Sequence, residues 1–405
     1  MVNSQSKIEY NFDVQTDEPY INKLTNIKSK HISYEDNSYC ILNYDQNYVC
    51  DDDYIRGTYN SVVLDTNRDI LAIGPGKTLS LELFKQTNGS TLDMSMFSVN
   101  ELIEGLFFQM FYNKSDNKWE ISTKNAIGGK YSYYRMPDVT SLSYRDMIYQ
   151  AIHVNDINEW DAIEHMNEKY CYHFILQHPN NHVVLTIKEP KIYFFGAFEL
   201  HYTKTNNIRY VSLKECEKIF PSTVVEYSKP YEINNEMEVD DIIEKYASIQ
   251  EDSNRMGIVI TKNSTGERAI VICPNYKHLQ ELRGTHPNIM YQYICLYRVK
   301  RVSEFLKHFP QYNNEFRKFK TMYDTFVTNL HKTYYKYFIQ KNKSPVNKKY
   351  FYHIMQIHNN IFIPSLQEES KTIIKRSIVQ KYIDELEPGN ILHILQNERY
   401  EQDNK

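Results

Sequence analysis

The chain has 405 residues, of which 24% are charged, and a formal net charge of −4. That length supports a sizeable core and about two domains, and the balance excludes a uniformly polybasic or polyacidic protein. Apolar patches such as Ile192–Phe198 are far too short to span a bilayer. The charge is unevenly spread, however. Tyr276 to Lys405 carries 21 Lys and Arg against 12 Asp and Glu, which leaves an acidic surplus in residues 1–275. A basic C-terminal segment suits a nucleic-acid partner, and it equally suits long helices that carry solvated lysines. With 35 Tyr, 12 Gly and 13 Pro, the composition fits an AT-rich genome. The opening MVNSQSKIEYNFD has no apolar core and no cleavage pattern, so no secretory signal is expected. Six dispersed cysteines read as free thiols in a reducing compartment.

In chain order, residues 1–40 interleave Asp, Asn, Lys and Ser and read as a polar arm. Strands are expected from Ser38, over Thr58–Asp65 (within IRGTYNSVVLD) and over Asp69–Ile73, followed by a turn at Gly74-Pro75-Gly76. Lys77–Lys85 alternates partly and reads as another strand, and Ser90–Ser98 as a loop. Asn100–Lys130 is the most informative stretch: Glu104-Gly105, an apolar run Leu106–Tyr112, a polar turn, then a return through Trp119 to Gly128-Gly129. This is a hairpin pattern. Ser143 and Asp146 form a capping pair ahead of a helix, and Asn158–Met166 reads as a short second one. Strands follow at Tyr172–Leu176, Val183–Ile187 and Lys191–Leu200, then a helix over 236–248 and a last hairpin, Gly257–Thr261 with Glu267–Cys273. Beyond Pro274 the pattern is helical: Tyr276–Arg283 ending on Gly284, Asn288–Phe309, a long amphipathic helix Asn313–Lys341, Pro345–Asn359, and Ser370–Leu386 stopped by Pro388-Gly389. The expected fold class is α+β: antiparallel sheets in residues 41–275, then an all-helical basic domain in 276–405.

Several clusters invite sharper readings. Cys171, His173, His178 and His182 lie close together, but no paired second half with zinc-ligand spacing accompanies them. Asp51-Asp52-Asp53 reads as a solvated loop, and Lys341–Lys349 as a phosphate contact or a surface linker. Tyr334, Tyr335 and Tyr337 suggest a base-stacking platform, but they sit on a helix, where core packing is the default for inward positions.

The order and spacing around the hairpin resemble the covalent nucleotidyltransferases, RNA ligases of the phage T4 ligase 1 type above all, over about residues 45–340. The resemblance implies a lysine nucleophile in a Lys-x-Asp-Gly motif, ATP and Mg as cofactors, and a helical domain after the catalytic one. Position by position, Arg56-Gly57 matches the arginine-glycine that precedes the nucleophile. The motif itself falls on Leu102-Ile103-Glu104-Gly105, with leucine where the lysine belongs. Thr123-Lys124 matches the return-strand Ser-Lys element. His173 stands for the later glutamate, Met256-Gly257 for the Glu-Gly pair, and Ile270 and Ile272 for the Lys-x-Lys pair. Leucine and isoleucine can neither attack an α-phosphate nor neutralise a triphosphate, so no catalytic residue and no cofactor are assigned. Arg56, Gly105, Lys124 and Lys188 remain as phosphate-binding candidates. No metal site is expected.

A second resemblance is to the immediate-early infected-cell protein family of iridoviruses and its relatives in other large DNA viruses. It rests on Glu104-Gly105, on Trp119, and on Tyr276, Arg283-Gly284 and Tyr291–Tyr297 within NYKHLQELRGTHPNIMYQYICLY. Together these readings give a catalytically inactive, RNA ligase-like viral early protein that binds RNA or DNA or regulates, with no membrane role, in the host cytoplasm or the virion. Two others stand beside it. One is an active ATP-dependent ligase with a relocated lysine (Lys85, Lys124 or Lys188). The other is a structural virion protein.

Overall fold

The computed structural model describes residues 26–50, 53–132, 142–200, 208–217, 220, 225–233, 235–248, 255–367 and 372–403. The chain divides into two compact units, Met1–Glu281 and Leu282–Lys405. The boundary falls later than residue 275 because the helix Pro274–Arg283 starts in the first unit, where Tyr276 is fully buried. Residues 27–40 are not an arm. They form β1 (Ile27–Tyr34) and most of β2 (Asn37–Tyr44), while residues 1–25 lie outside the described residues.

The first unit continues with β3 (Val62–Leu64) and β4 (Ile70–Ala72), which close the antiparallel order β1-β2-β3-β4. Arg56-Gly57 ends a single helical turn, Tyr54–Gly57, rather than a strand. Asp53 explains this: its carboxylate accepts the Arg56 N–H at 3.0 Å and pairs with the Arg56 guanidinium. Asp51 and Asp52 lie outside the described residues. Lys77–Lys85 is not a strand either. The Ser80 hydroxyl accepts the Leu83 N–H and caps a helix, Leu81–Asn88, that buries Phe84. Ser90–Ser98 holds β5 (Thr91–Asp93) and the start of β6 (Phe97–Glu101).

The expected hairpin is β7 (Leu106–Asn113) with β8 (Lys118–Thr123), followed by β9 (Ala126–Ile127). Next comes the helix Tyr144–Ile152, whose capping box joins Ser143 and Asp146 as the sequence suggests, while Asn158–Met166 resolves into two 3₁₀ turns. β10 (Tyr170–Gln177), β11 (Lys191–Leu200), β12 (Ile208–Val211) and β13 (Glu226–Tyr227) complete a central sheet of order β12-β11-β10-β7-β8-β9, with β13 parallel on β11. β14 (Glu236–Glu238) pairs with β5, and the helix Val239–Tyr246 follows it. β15 (Gly257–Lys262) and β16 (Arg268–Ile272) join β6 in a third sheet, β16-β15-β6.

Side-chain alternation distributes the core. Phe108, Met110, Tyr172, Phe174 and Phe194 point to one face of the central sheet and pack on the helix Tyr144–Ile152. Phe111, Cys171 and Phe198 point to the other and pack on the β1–β4 sheet. Each fully buried Phe contributes about 2–3 kcal/mol relative to exposure.

The second unit is helical: Ile289–Arg298, Val302–His308, Asn313–Tyr334, Lys348–Ile357, Arg376–Asp384 and Pro388–Asp403 are its main elements. Gly284, at φ 69°, ends the preceding helix as expected. The long helix passes into a π turn, Tyr335–Ile339. Pro388-Gly389 does not only stop a helix; it starts the last one, because proline suits a first helical position. Together the two units give the expected α+β class, antiparallel sheets followed by a helical C-terminal region. Among the described residues no helix is long and apolar enough to cross a membrane.

Candidate functional site

The link Leu102–Gly105 joins β6 of the third sheet to β7 of the central sheet. Two glycines hold this junction by close backbone approach. A Cβ on Gly105 would lie 2.4 Å from the Leu176 carbonyl oxygen, and one on Gly257 would lie 2.0 Å from that of Val271. The Leu102 N–H donates to the Gly257 carbonyl at 2.9 Å. Leu102 itself is half-buried and Met256 lies in the loop entering β15, so neither brings a charged group to the junction.

Glu104 is 4% exposed, and its carboxylate faces inward. It accepts the backbone N–H groups of Val183, Val184 (3.1 Å) and Leu185 (3.0 Å), and the Tyr276 hydroxyl at 2.6 Å. This explains why Val183–Ile187 is not a strand: its first N–H groups serve the carboxylate instead of a ladder. A carboxylate with four donors has no lone pair left for a metal or a ribose.

The same side of the central sheet carries Phe107, Gln109 and His173, with Gln109 opposite His173. His173 is 1% exposed, and its Nε2–H donates to the Ile73 carbonyl at 2.7 Å. Burial lowers its pKa to about 3, with Arg268 adding to the effect and the Ile73 carbonyl opposing it, so the ring is neutral at ordinary pH. Alternation from Phe194, which packs on the opposite face, puts Phe195 on this face, and the register of β10 and β11 shifts next to it. The His173 ring lies 5.6 Å from Phe195 and 5.9 Å from Phe107, and the two phenylalanines are 5.8 Å apart. His173 thus stands in an aromatic cluster. On β16, Arg268, Ile270 and Ile272 alternate with Ala269 and Val271. The Arg268 guanidinium lies 6.0 Å from the Phe195 ring centroid and donates to the Gly76 carbonyl at 3.2 Å. Arg268 and Phe195 were not among the residues singled out from sequence. Both lay within reach of strand alternation: Arg268 two residues before Ile270, and Phe195 beside Phe194 on the opposite face of the expected strand.

Lys124 follows Ser122, the partner of Gln109, by two residues and stands on the same side of the sheet. It is half-buried, its amine lies 5.5 Å from the Tyr44 ring centroid, and burial lowers its pKa. Arg56 is tied to Asp53. The adjoining Gly57 carbonyl accepts the Lys77 N–H at 2.8 Å, which sets Arg56 beside the Gly74–Lys77 turn that also receives Arg268. Lys188 is exposed on the segment that wraps Glu104, and Lys85 pairs with Asp240. The structure therefore gathers Arg268, His173 and the Gly74–Lys77 turn, with Lys124 on the same sheet face. Among the described residues no group of three or more His, Cys, Asp or Glu could hold a metal, and His178 bonds Gln150 at 3.0 Å.

No family model matches the chain, and no curated protein does. Among solved structures it is similar to an archaeal ATP-dependent RNA ligase in two forms. The TM-scores are 0.42 and 0.41, the identities 14% and 13%, with 75% and 72% of this chain and 74% and 71% of the other covered. It is also similar to a variant of Naegleria gruberi RNA ligase with ATP and Mn, at TM-score 0.35 and 12% identity, over 52% of this chain. The chain spans 58% of the length of that ligase.

Proposed function

We propose that this protein has the frame of a covalent nucleotidyltransferase without its chemistry, and acts as a nucleic-acid-binding or regulatory factor. One observation carries the reading: Glu104 in the motif position is fully engaged by four internal donors, next to Leu102 where a nucleophile would stand. Ile270, Ile272 and the neutral His173 offer nothing to a magnesium-bound triphosphate, so the residues present do not fit ATP and Mg, and no step is written through them. Arg268, Lys124 and Arg56 supply positive charge for phosphates instead. The sequence signature of Tyr276, Arg283-Gly284 and Tyr291–Tyr297, with the tyrosine-rich composition, supports placement as an early protein of a large DNA virus, in the host cytoplasm or the virion.

A second reading keeps activity through Lys124. Burial favours its neutral amine, which is the form a nucleophile needs. Incubation with α-labelled ATP or GTP and Mg or Mn separates the two. The proposal expects no acid-labile label on the protein, together with salt-dependent retention of RNA or DNA. A covalent label that disappears in Lys124→Ala would establish the second reading. Failure to retain any nucleic acid would leave a structural virion role.

A further inference from the structure

From Thr325 to Gln367 the chain contains no Asp or Glu, while lysines stand at 332, 336, 341, 343, 348 and 349. In the second unit this stretch folds into a helical hairpin: the end of Asn313–Tyr334, its π turn Tyr335–Ile339, a polar loop, and Lys348–Ile357 with a second π turn, His358–Phe362. Single-turn π insertions cost hydrogen-bond geometry and recur at functional positions. Here the two turns meet, with the Phe338 and His358 rings stacked at 3.7 Å and 9°. Tyr334 is buried at 1% exposure and belongs to the core, as its inward position requires.

The neighbouring aromatics are outside. Phe351 is 43% exposed and Tyr352 61%. With Lys348 they occupy the i, i+3 and i+4 positions of one helical face. Tyr337 meets Phe351 edge-on at 6.0 Å, and the Lys343 amine lies 3.7 Å from the Tyr337 ring centroid. Exposed aromatic faces framed by lysines, with no carboxylate on the hairpin, are the combination that binds unstacked bases and their phosphates. A duplex hides its base faces and could not use these rings. A lipid surface would want aliphatic residues deepest. At this tip Ile339 is exposed, but the rings outnumber it, and Ile363 and Leu366 lie past the far end of the second helix.

We propose that the tip of this hairpin docks single-stranded nucleic acid, with bases stacking on Phe351 and Tyr352 and phosphates met by Lys343 and Lys348. The inference rests on the nucleic-acid reading above only for the class of ligand. The test is fluorescence anisotropy of a labelled oligouridylate against the full-length chain and its variants. Tyr352→Ala should weaken binding by about 5- to 100-fold, the range that loss of one stacked base gives, and Tyr352→Trp should restore it. Lys343→Gln should flatten the slope of log affinity against log salt by about 0.7. The side chains are exposed, so unchanged melting temperatures are expected and separate binding from folding. If the oligonucleotide binds and all three variants behave like the parent chain, the tip is not the site and the broader reading survives. If no single strand binds at all, this proposal fails, and retention of duplex RNA or DNA decides the broader reading. If the variants lose affinity only for phosphatidylserine vesicles, the surface faces a membrane and the proposal is overturned.

Discussion

Tyr276 donates its hydroxyl to the Glu104 carboxylate at 2.6 Å, although the two residues are 172 positions apart. That bond and the three backbone donors make the Glu104 carboxylate an internal anchor. Glu104→Gln keeps the size but replaces one acceptor oxygen with an NH₂ that faces N–H donors. It should destabilise the first unit by about 2–4 kcal/mol, and Tyr276→Phe by about 1–2 kcal/mol. Urea denaturation of the full chain checks both. Equal stabilities would mean that the carboxylate is not anchoring the 183–185 segment.

The junction glycines give a second expectation. Gly257→Ala and Gly105→Ala push a Cβ against backbone carbonyls at 2.0 and 2.4 Å, and backbone cannot yield as a flexible side chain would. Each should cost at least about 3 kcal/mol, at the exceptional end for point mutants. Gly389, on the helix Pro388–Asp403, has nothing within 4 Å of the point where a Cβ would stand, and Gly389→Ala should be neutral or stabilise by up to about 1 kcal/mol. Thermal melts of the three variants side by side check the contrast.

His173 predicts a pH dependence. Its folded pKa is depressed to about 3, below the ordinary 6.5, mainly by burial. Between those values the unfolded chain binds the extra proton, so stability rises with pH there. The contribution is fully present above about pH 6.5 and is lost as pH falls toward 3, at about 1.4 kcal/mol per pH unit for one proton. Denaturation midpoints at pH 7.5 and 5 should differ less in His173→Gln than in the parent chain. Parallel profiles would place the acid sensitivity elsewhere.

Lys124 is half-buried with its pKa lowered by burial, so removing its charge relieves a desolvation cost. Lys124→Met should leave stability unchanged or slightly higher. It should also weaken RNA retention and reduce the salt slope by about 0.7–0.9. Unaltered affinity and slope in a salt titration would take Lys124 out of the binding surface.

Where local chemistry decided the structure, the sequence was readable. Ser143 with Asp146 announced a capped helix, and the apolar run from Lys191 formed the expected strand. Where a distant partner decided it, local pattern misled. Val183–Ile187 has the composition of a strand, yet its N–H groups go to Glu104, some 80 residues earlier. Lys77–Lys85 has partial alternation, and the Ser80 cap overrode it. The site divides the same way. Leu102, Ile270 and Ile272 are visible in the sequence as apolar residues, and the structure adds that Leu102 is half-buried at the β6–β7 link and that Ile270 and Ile272 lie on β16. Phe195 comes to His173 through the pairing of β10 with β11, and Arg268 to Phe195 only through the meeting of two sheets.

The Glu104 anchor also bears on how the first unit folds. Its four bonds close loops of 79, 80, 81 and 172 residues, and contacts that distant form late because loop closure must precede them. During synthesis the carboxylate emerges long before Tyr276, and until then the β6–β7 junction waits with a charge it cannot bury. The sheets on either side of that junction should therefore consolidate in one late cooperative step, and a nascent chain ending before Tyr276 should remain open to proteases at the Leu102–Gly105 link.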